Sequence, residues 1–345
     1  MKIALVRPRV GFGLGGAENY TAYVARELLR AGHEVFVVAD RCEVPEVKHL
    51  RARIYGRGSL VKTLSFFFNA RRVLSRKRFD VVYATSRFFP ADWVRVSDPL
   101  HIVWLYRGYA RPPLLWPLRP RHRLILWLER KSLEQARRVI VNSRMVFNEI
   151  AEHYPFAVGK TEVIYNGVDL ERFNPGVQRF RTEVRRELNL SEEDRVLLFA
   201  GSDWRRKGLP FLLSVLEELP EEFKLLVAGG KRLGKKGRVH YLGTVKNMER
   251  LYGAADLLVL PTRYDPFANV VLEALACGLP VLTTPENGAA EAVTYLGRGK
   301  VLPLHVRDWI TGIPAVITLR NSPESMRSLT FKFSWERHLE ALFRA

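Results

Sequence analysis

MKIALVRPRVGFGLGGAENYTAYVARELLRAGHEVFVVAD, residues 1–40, decides the fold class. Residues 2–6 are an apolar run of strand length. A glycine-rich turn follows at Gly11–Gly16. The stretch Ala17–Ala31 reads as a helix, with Gly32 just past its end. Residues 34–39 read as a second strand, closed by Asp40. Strand, glycine turn, helix and strand make a βαβ unit, which predicts a parallel sheet in an α/β fold.

The alternation continues outward. Strands are expected at 80–84 (DVVYA) and 138–142 (RVIVN). A second series runs from EVIYNGVD near residue 162 through a helical stretch at 179–189 and a strand at 195–200. After it come a loop at Gly201–Gly208, a helix at 209–219 and a strand at 223–228. A short strand at 239–242, a helix at 246–254, a strand at 256–260, a helix from about 269 to Cys277 and a strand at 280–284 complete it. At 345 residues the chain favours two domains. The punctuation at Asn166-Gly167 and Asn174-Pro175-Gly176 puts the boundary near 164–175. We therefore expect doubly wound, Rossmann-like domains at 1–165 and 166–330, with a C-terminal helix in 331–345 packing back on the first.

The net charge is +19, and it is uneven. Residues 1–150 hold 28 Lys and Arg against 12 Asp and Glu, whereas residues 151–345 hold 27 against 24. The excess in the first half predicts an anionic partner: nucleic acid, an anionic membrane or a phosphorylated substrate. Cys42 and Cys277 make no disulfide framework and no metal-binding spacing, which suits a reducing compartment. The apolar start is broken by Arg7 and Pro8 and reads as a strand rather than a signal peptide. No uncharged apolar stretch has the length of a membrane span.

Gly11, Gly13 and Gly16 spell the glycine spacing of a dinucleotide site, and Asp40 stands where a ribose-binding acid could sit. Pro8, Arg9 and Val10 lengthen that turn. The alternatives are backbone punctuation, or a loop that leaves room for a substrate at the carboxyl end of the first strand.

The second half carries three features that suit an activated sugar. GSDWRRKG, residues 201–208, puts Arg205, Arg206 and Lys207 on a loop between a strand and a helix. Fixed cations there stabilise the growing charge on a departing diphosphate, although a solvated basic loop would look the same. DPFANVVLE, residues 265–273, places Asp265 before a helix and Glu273 inside it. If the helix starts near Asn269, its free amides face an anion site and Glu273 can accept hydroxyl hydrogen bonds. The bland readings are a loop or capping acid and a surface charge, but the flanks are strongly apolar. VIYNGVDLERF, residues 163–173, puts Arg172 at the domain junction, where it is either a surface linker residue or part of the site.

These residues together resemble the retaining glycosyltransferases of family 4, which have the GT-B fold of two Rossmann-like domains facing across a cleft. The resemblance covers nearly the whole chain, from GLGGAENYTAYVARELLRAGHEV through VIYNGVD to FSWERHLEALF. Family members normally carry two glutamates in the 265–273 motif; here the first is Asp265 and the second Glu273. Ser202 replaces the usual arginine after the phosphate-loop glycine, and the pattern is similar to that of the lipopolysaccharide core glucosyltransferase I group. That resemblance implies a hexosyltransferase. It gives donor binding to Gly15, Gly16, Arg172, Arg206, Lys207, Asp265, Ala268, Asn269, Val270 and Glu273. It also assigns Asp98, in VRVSDPL, to the catalytic centre with Arg206, Lys207 and Asp265. The residue-level alternative for Asp98 is a cap on a helix at 99–106. Retention by front-face attack, with the leaving phosphate taking the acceptor proton, is the implied mechanism. No metal and no other cofactor is expected, and UDP-glucose and a lipopolysaccharide core acceptor are the implied substrates.

Residues 104–144 interleave arginines with tryptophans. Trp104, Arg107, Arg111, Trp116, Arg119, Arg121 and Arg123 suit the interface of an anionic membrane. Single-stranded nucleic acid and a core helix with a basic solvated face are the alternatives. The membrane reading is preferred, because a glycolipid acceptor would be found there; no nucleic-acid partner is expected. It predicts a cytoplasmic protein, peripheral on the inner face of the cytoplasmic membrane. An NAD-dependent enzyme and a sugar-nucleotide epimerase of the same fold remain the competing functions.

Overall fold

The structure, a computed structural model, describes residues 1–107, 119–319 and 331–344. The chain divides into two compact units: Met1–Tyr165 with Leu339–Ala345, and Asn166–His338.

Unit 1 is built on a seven-stranded sheet. In chain order its elements are β1 (Lys2–Val6), β2 (Arg9–Val10), α1 (Gly16–Arg30), β3 (Glu34–Ala39), β4 (Arg41–Cys42), β5 (Lys48–Arg51) and α2 (Ser59–Leu74). There follow β6 (Val81–Ala84), β7 (Trp93–Val96), α3 (His101–Arg107), α4 (Pro120–Gln135), β8 (Arg138–Val141), α5 (Arg144–His153) and β9 (Thr161–Val163). The strand order is β5-β3-β1-β6-β7-β8-β9 and every pairing is parallel. The inner strands are buried along nearly their whole length, as a sheet covered on both faces requires.

Unit 2 repeats the plan: α6 (Arg181–Glu187), β10 (Arg195–Ala200), α7 (Leu209–Glu218), β11 (Phe223–Ala228), β12 (Arg232–Lys236), β13 (Val239–Gly243) and α8 (Met248–Ala254) come first. Then come β14 (Leu257–Leu260), α9 (Asn269–Ala276), β15 (Val281–Thr283), α10 (Ala290–Leu296), β16 (Gly299–Val301), α11 (Val306–Ile317) and α12 (Trp335–Phe343). The order is β12-β13-β11-β10-β14-β15-β16, parallel except for β12, which runs antiparallel to β13.

Each sheet reverses its winding once, between β1 and β6 in unit 1 and between β10 and β14 in unit 2. Open α/β sheets bind ligands outside the carboxyl ends of the strands at such a point. Ligand sites are therefore expected at the chain segments leaving those four strands.

The C-terminal helix α12 belongs to both units. In unit 2, Gly167 lies so close to Trp335 that a Cβ there would come within 2.5 Å of the indole. In unit 1, Arg138 donates to the carbonyls of Leu342 (2.5 Å) and Ala341 (2.9 Å), and Phe343 packs edge-on against Trp93. The expected return helix is thus shared, with its first turn counted in unit 2 and its end in unit 1.

Candidate active site

In unit 2 the backbone is arranged so that two cations reach one acid. Gly208, with φ at 83°, ends the loop that leaves β10, and a Cβ there would stand 1.8 Å from the Pro261 carbonyl oxygen. Only glycine allows that approach. The loop leaving β14 is sewn to it: Arg263 N–H and Thr262 Oγ1 both donate to the Arg206 carbonyl, at 2.8 and 3.2 Å. Arg206 Nη1 then donates to the Tyr264 carbonyl and to Asp265 Oδ2, both at 2.9 Å. Lys207 Nζ lies 2.5 Å from the same oxygen. Asp265 Oδ1 accepts the backbone N–H of Phe267 at 3.1 Å.

Burial would raise the Asp265 pKa, but Lys207 and Arg206 more than offset it and hold the carboxyl below its ordinary value. The acid is ionised at neutral pH. It is an acceptor only, suited to hydroxyl donors.

The helix that follows starts at Asn269, as the sequence predicts. No side chain caps α9 and no acid stands in its first turn, so its amide end is open to an anion. Ala268 N–H is held by Asn287 Oδ1 at 3.2 Å, and Asn269 Oδ1 accepts from Asn166 at 2.5 Å. Val270 is in the first turn. Glu273, in the second, accepts from Tyr252 at 2.7 Å. Burial outweighs that bond and the nearby Arg172, and pushes the Glu273 carboxyl above its ordinary range. Arg172 itself donates from Nε (3.0 Å) and Nη2 (2.7 Å) to the single oxygen Glu249 Oε2, and from Nη2 to the Lys246 carbonyl at 2.6 Å. It acts on Glu273 through space. Arg205, the third cation of the loop, is exposed and makes no ion pair among the described residues.

In unit 1 the corresponding position is held by Arg7, which sequence reading passed over. It directly follows the buried strand β1, which was the available signal. Arg7 is 5% exposed and donates to the Thr85 carbonyl just beyond β6 at 2.5 Å. Its two terminal nitrogens reach both oxygens of Asp98, at 3.3 and 3.2 Å, and Glu18 at 3.1 Å. Partial burial raises the Asp98 pKa, but Arg7 and Arg87 outweigh it and hold the carboxyl low. Asp98 is thus an ion-pair partner, and α3 starts beyond it at His101.

Behind it, buried Glu129 gathers Arg87 Nε (2.8 Å), the His101 backbone N–H (2.7 Å) and the Tyr154 hydroxyl (2.8 Å). His101 stacks on His122 with ring nitrogens 3.0 Å apart; burial and Arg87 push its pKa down to about 3, so it is neutral.

The glycine turn brings an acid of the chain close to the start of α1. Gly15 precedes α1, and a Cβ there would lie 2.6 Å from Glu18 Oε2. Glu18, in the first turn of α1, thus has one carboxylate oxygen facing Gly15 and the other paired with Arg7. Residues 9–10 are drawn out as β2 against β4, and Asp40 is engaged by the Ile54 N–H at 3.1 Å. These contacts argue against the dinucleotide reading.

Of the basic segment, Arg111 and Trp116 lie outside the described residues. Trp104 is half-buried; Arg107, Arg119, Arg121 and Arg123 are exposed, with Arg107 3.8 Å from Glu149. Among the described residues no helix is long and apolar enough to cross a membrane, and no group of three acidic, histidine or cysteine side chains could hold a metal.

Comparison with known proteins bears on both units. The model of glycosyltransferase family 4 matches residues 14–172, and that of the glycosyl transferases group 1 matches residues 194–317. A "probable transglycosylase" of Burkholderia thailandensis is 30% identical over 284 residues, covering 81% of this chain and 76% of that protein. Among solved structures, WaaG, a glycosyltransferase involved in lipopolysaccharide biosynthesis, superposes with a TM-score of 0.81 at 21% identity, covering 99% of this chain and 95% of its own. Anabaena HepE in complex with UDP and glucose gives 0.75 at 18% identity, with 99% and 98% covered. At these identities the two structures establish the shared fold.

Proposed function

The chain belongs to the family 4 glycosyltransferases and has their GT-B fold, and from that premise we propose that it transfers glucose from UDP-glucose, with retention, to a membrane glycolipid of the lipopolysaccharide core type. The observation that carries the reading is the convergence of Arg206 and Lys207 on Asp265 Oδ2, beside the uncapped start of α9. The complex of HepE with UDP and glucose and the involvement of WaaG in lipopolysaccharide biosynthesis favour this donor and acceptor class.

In this reading the donor diphosphate lies against Arg206, Lys207 and the amides at Asn269 and Val270. Asp265 accepts from hydroxyls of the sugar, and Glu273 accepts from the ribose. The bond from the anomeric carbon to the diphosphate breaks as the bond to the acceptor oxygen forms on the same face. The acceptor proton passes to the leaving phosphate oxygen. Arg206 and Lys207 stabilise the charge that develops there, in a site where fixed dipoles need no reorganisation. They supply the positive charge, so the reaction is proposed to need no metal. Asp98, held ionised by Arg7, serves the acceptor. The exposed arginines of α3 and α4 favour docking on the anionic inner face of the cytoplasmic membrane.

A thermal-shift screen over UDP-, GDP- and ADP-sugars tests the donor. UDP-glucose at ~100 times its dissociation constant stabilises a protein by about 2.7 kcal/mol. A shift with another nucleotide-sugar and none with UDP-glucose would refute the donor assignment. Transfer undiminished by EDTA is expected, and equal flotation with neutral and anionic vesicles would remove the electrostatic docking.

A further inference from the structure

Unit 1 contains a cavity of about 640 Å³ at its own switch point. Its floor is the ion-paired group Arg7, Glu18, Asp98 and Arg87. One flank is α2, through Ser59, Lys62, Thr63, Phe66 and Phe67; the other is α4, through Arg121, Ile125 and Leu128. Ser59, Lys62 and Thr63 stand three and four residues apart and so share one face of the first turns of α2. No acid lies in that first turn and no side chain caps it.

Charge accounting separates the cations into two sets. Arg7 is spent on Glu18 and Asp98, and Arg87 on Glu129. Arg9, Lys62 and Arg121 line the same cavity and pair with no carboxylate among the described residues. Arg121 is tethered to α2 by its Nε donating to Ser59 Oγ at 3.0 Å, which holds the guanidinium beside the helix start. Thr63 Oγ1 donates to the Ser59 carbonyl at 2.8 Å, which leaves three uncompensated cations, the Ser59 hydroxyl and an uncapped helix end; together they call for a dianionic, oxygen-rich group. The walls supplied by Phe66, Phe67, Ile125 and Leu128 give that group an apolar or sugar-ring neighbour.

We infer that this cavity binds a phosphate group carried by the acceptor, with Lys62 and Arg121 as its ligands, aided by Ser59 and Arg9. The phosphate fixes the acceptor while Asp98 lies on the floor of the same cavity. The inference rests on the donor being held in unit 2, and it deepens that reading by naming the acceptor class. A phosphate can come from a soluble sugar phosphate or from a lipid.

The test uses the full chain with UDP at saturation, so that the proposed donor phosphate site is filled. Glucose 6-phosphate and phosphatidylcholine vesicles containing phosphatidic acid are the two probes. Binding of either is expected, weakened roughly tenfold or more by Lys62→Ala and by Arg121→Ala, with UDP affinity unchanged. Binding of glucose 6-phosphate marks a soluble acceptor, and vesicle binding that exceeds that to phosphatidylglycerol vesicles of equal charge and falls with Lys62→Ala marks a lipid phosphate; vesicle binding that follows surface charge alone reports the docking of α3 and α4 and, without glucose 6-phosphate binding, overturns the site. Absence of binding by both probes, or binding indifferent to both substitutions, overturns it. If UDP itself fails to bind while the probes still depend on Lys62 and Arg121, the donor reading falls and the phosphate site stands.

Discussion

Asp265 in unit 2 follows β14, at the reversal of its sheet, and Asp98 in unit 1 follows β7, one strand out from the reversal of its own; each is held by cations. Their surroundings differ. The Asp265 side chain is 9% exposed and takes Arg206 and Lys207 on one oxygen and a backbone amide on the other. The Asp98 side chain is 39% exposed, and its ion-pair partner among the described residues, Arg7, is shared with Glu18. Unit 2 has thus spent its loop geometry on a closed, satisfied cluster. Unit 1 keeps a roomier cavity with cations left over. A rigid cluster suits a constant ligand such as a nucleotide diphosphate, whereas an open, charged cavity suits an acceptor that brings its own anion.

The largest expected effect falls on the closed cluster. Lys207→Ala should lower kcat by about 10²–10³-fold in a transfer assay, the scale of one lost oxyanion donor; unchanged turnover would break the assignment. Next comes the cation of the open site. Arg7→Met leaves Asp98 and Glu18 without their shared partner, and urea unfolding should show a loss of about 2 kcal/mol, below the range for fully buried pairs because both acids are partly exposed. Glu273→Gln should weaken UDP binding roughly tenfold, the scale of one charge-assisted hydrogen bond, while raising the urea midpoint slightly at pH 8. The sign follows from its raised pKa: the folded state holds the proton longer than the unfolded one, so stability is lost as pH rises through the folded value. Asp265 has the opposite sign. Its depressed pKa gives stability that is complete above the unfolded carboxylate value of about 3.9 and is lost as pH falls through the folded value. Asp265→Asn should therefore flatten the acid limb of a Tm-against-pH curve more than Asp98→Asn does, because the exposed acid is better screened.

Much of the second cluster was legible because its residues lie in two short stretches, 201–208 and 265–273, each fixed by local chemistry: glycine at the turn, and a helix start after Ala268. Arg7, Arg87 and Glu129 were not legible as a group. They stand at least 42 positions apart in every pairing, and single charged residues beside apolar runs carry no local pattern. The dinucleotide spacing of Gly11–Gly16 stayed ambiguous for the related reason that glycine spacing does not reveal which acid, here Glu18, faces Gly15.

The sequence by itself determined the alternation of strands and helices, the two parallel sheets and the family, because periodicity and glycine punctuation are local properties of a chain. Only the tertiary structure decided that Arg172 is tied to Glu249, that Arg7 holds Asp98, and that Lys62 and Arg121 line one cavity without acid partners. Those facts depend on which loops the sheet order brings side by side, and charge pairing is settled by distance in space rather than by distance along the chain.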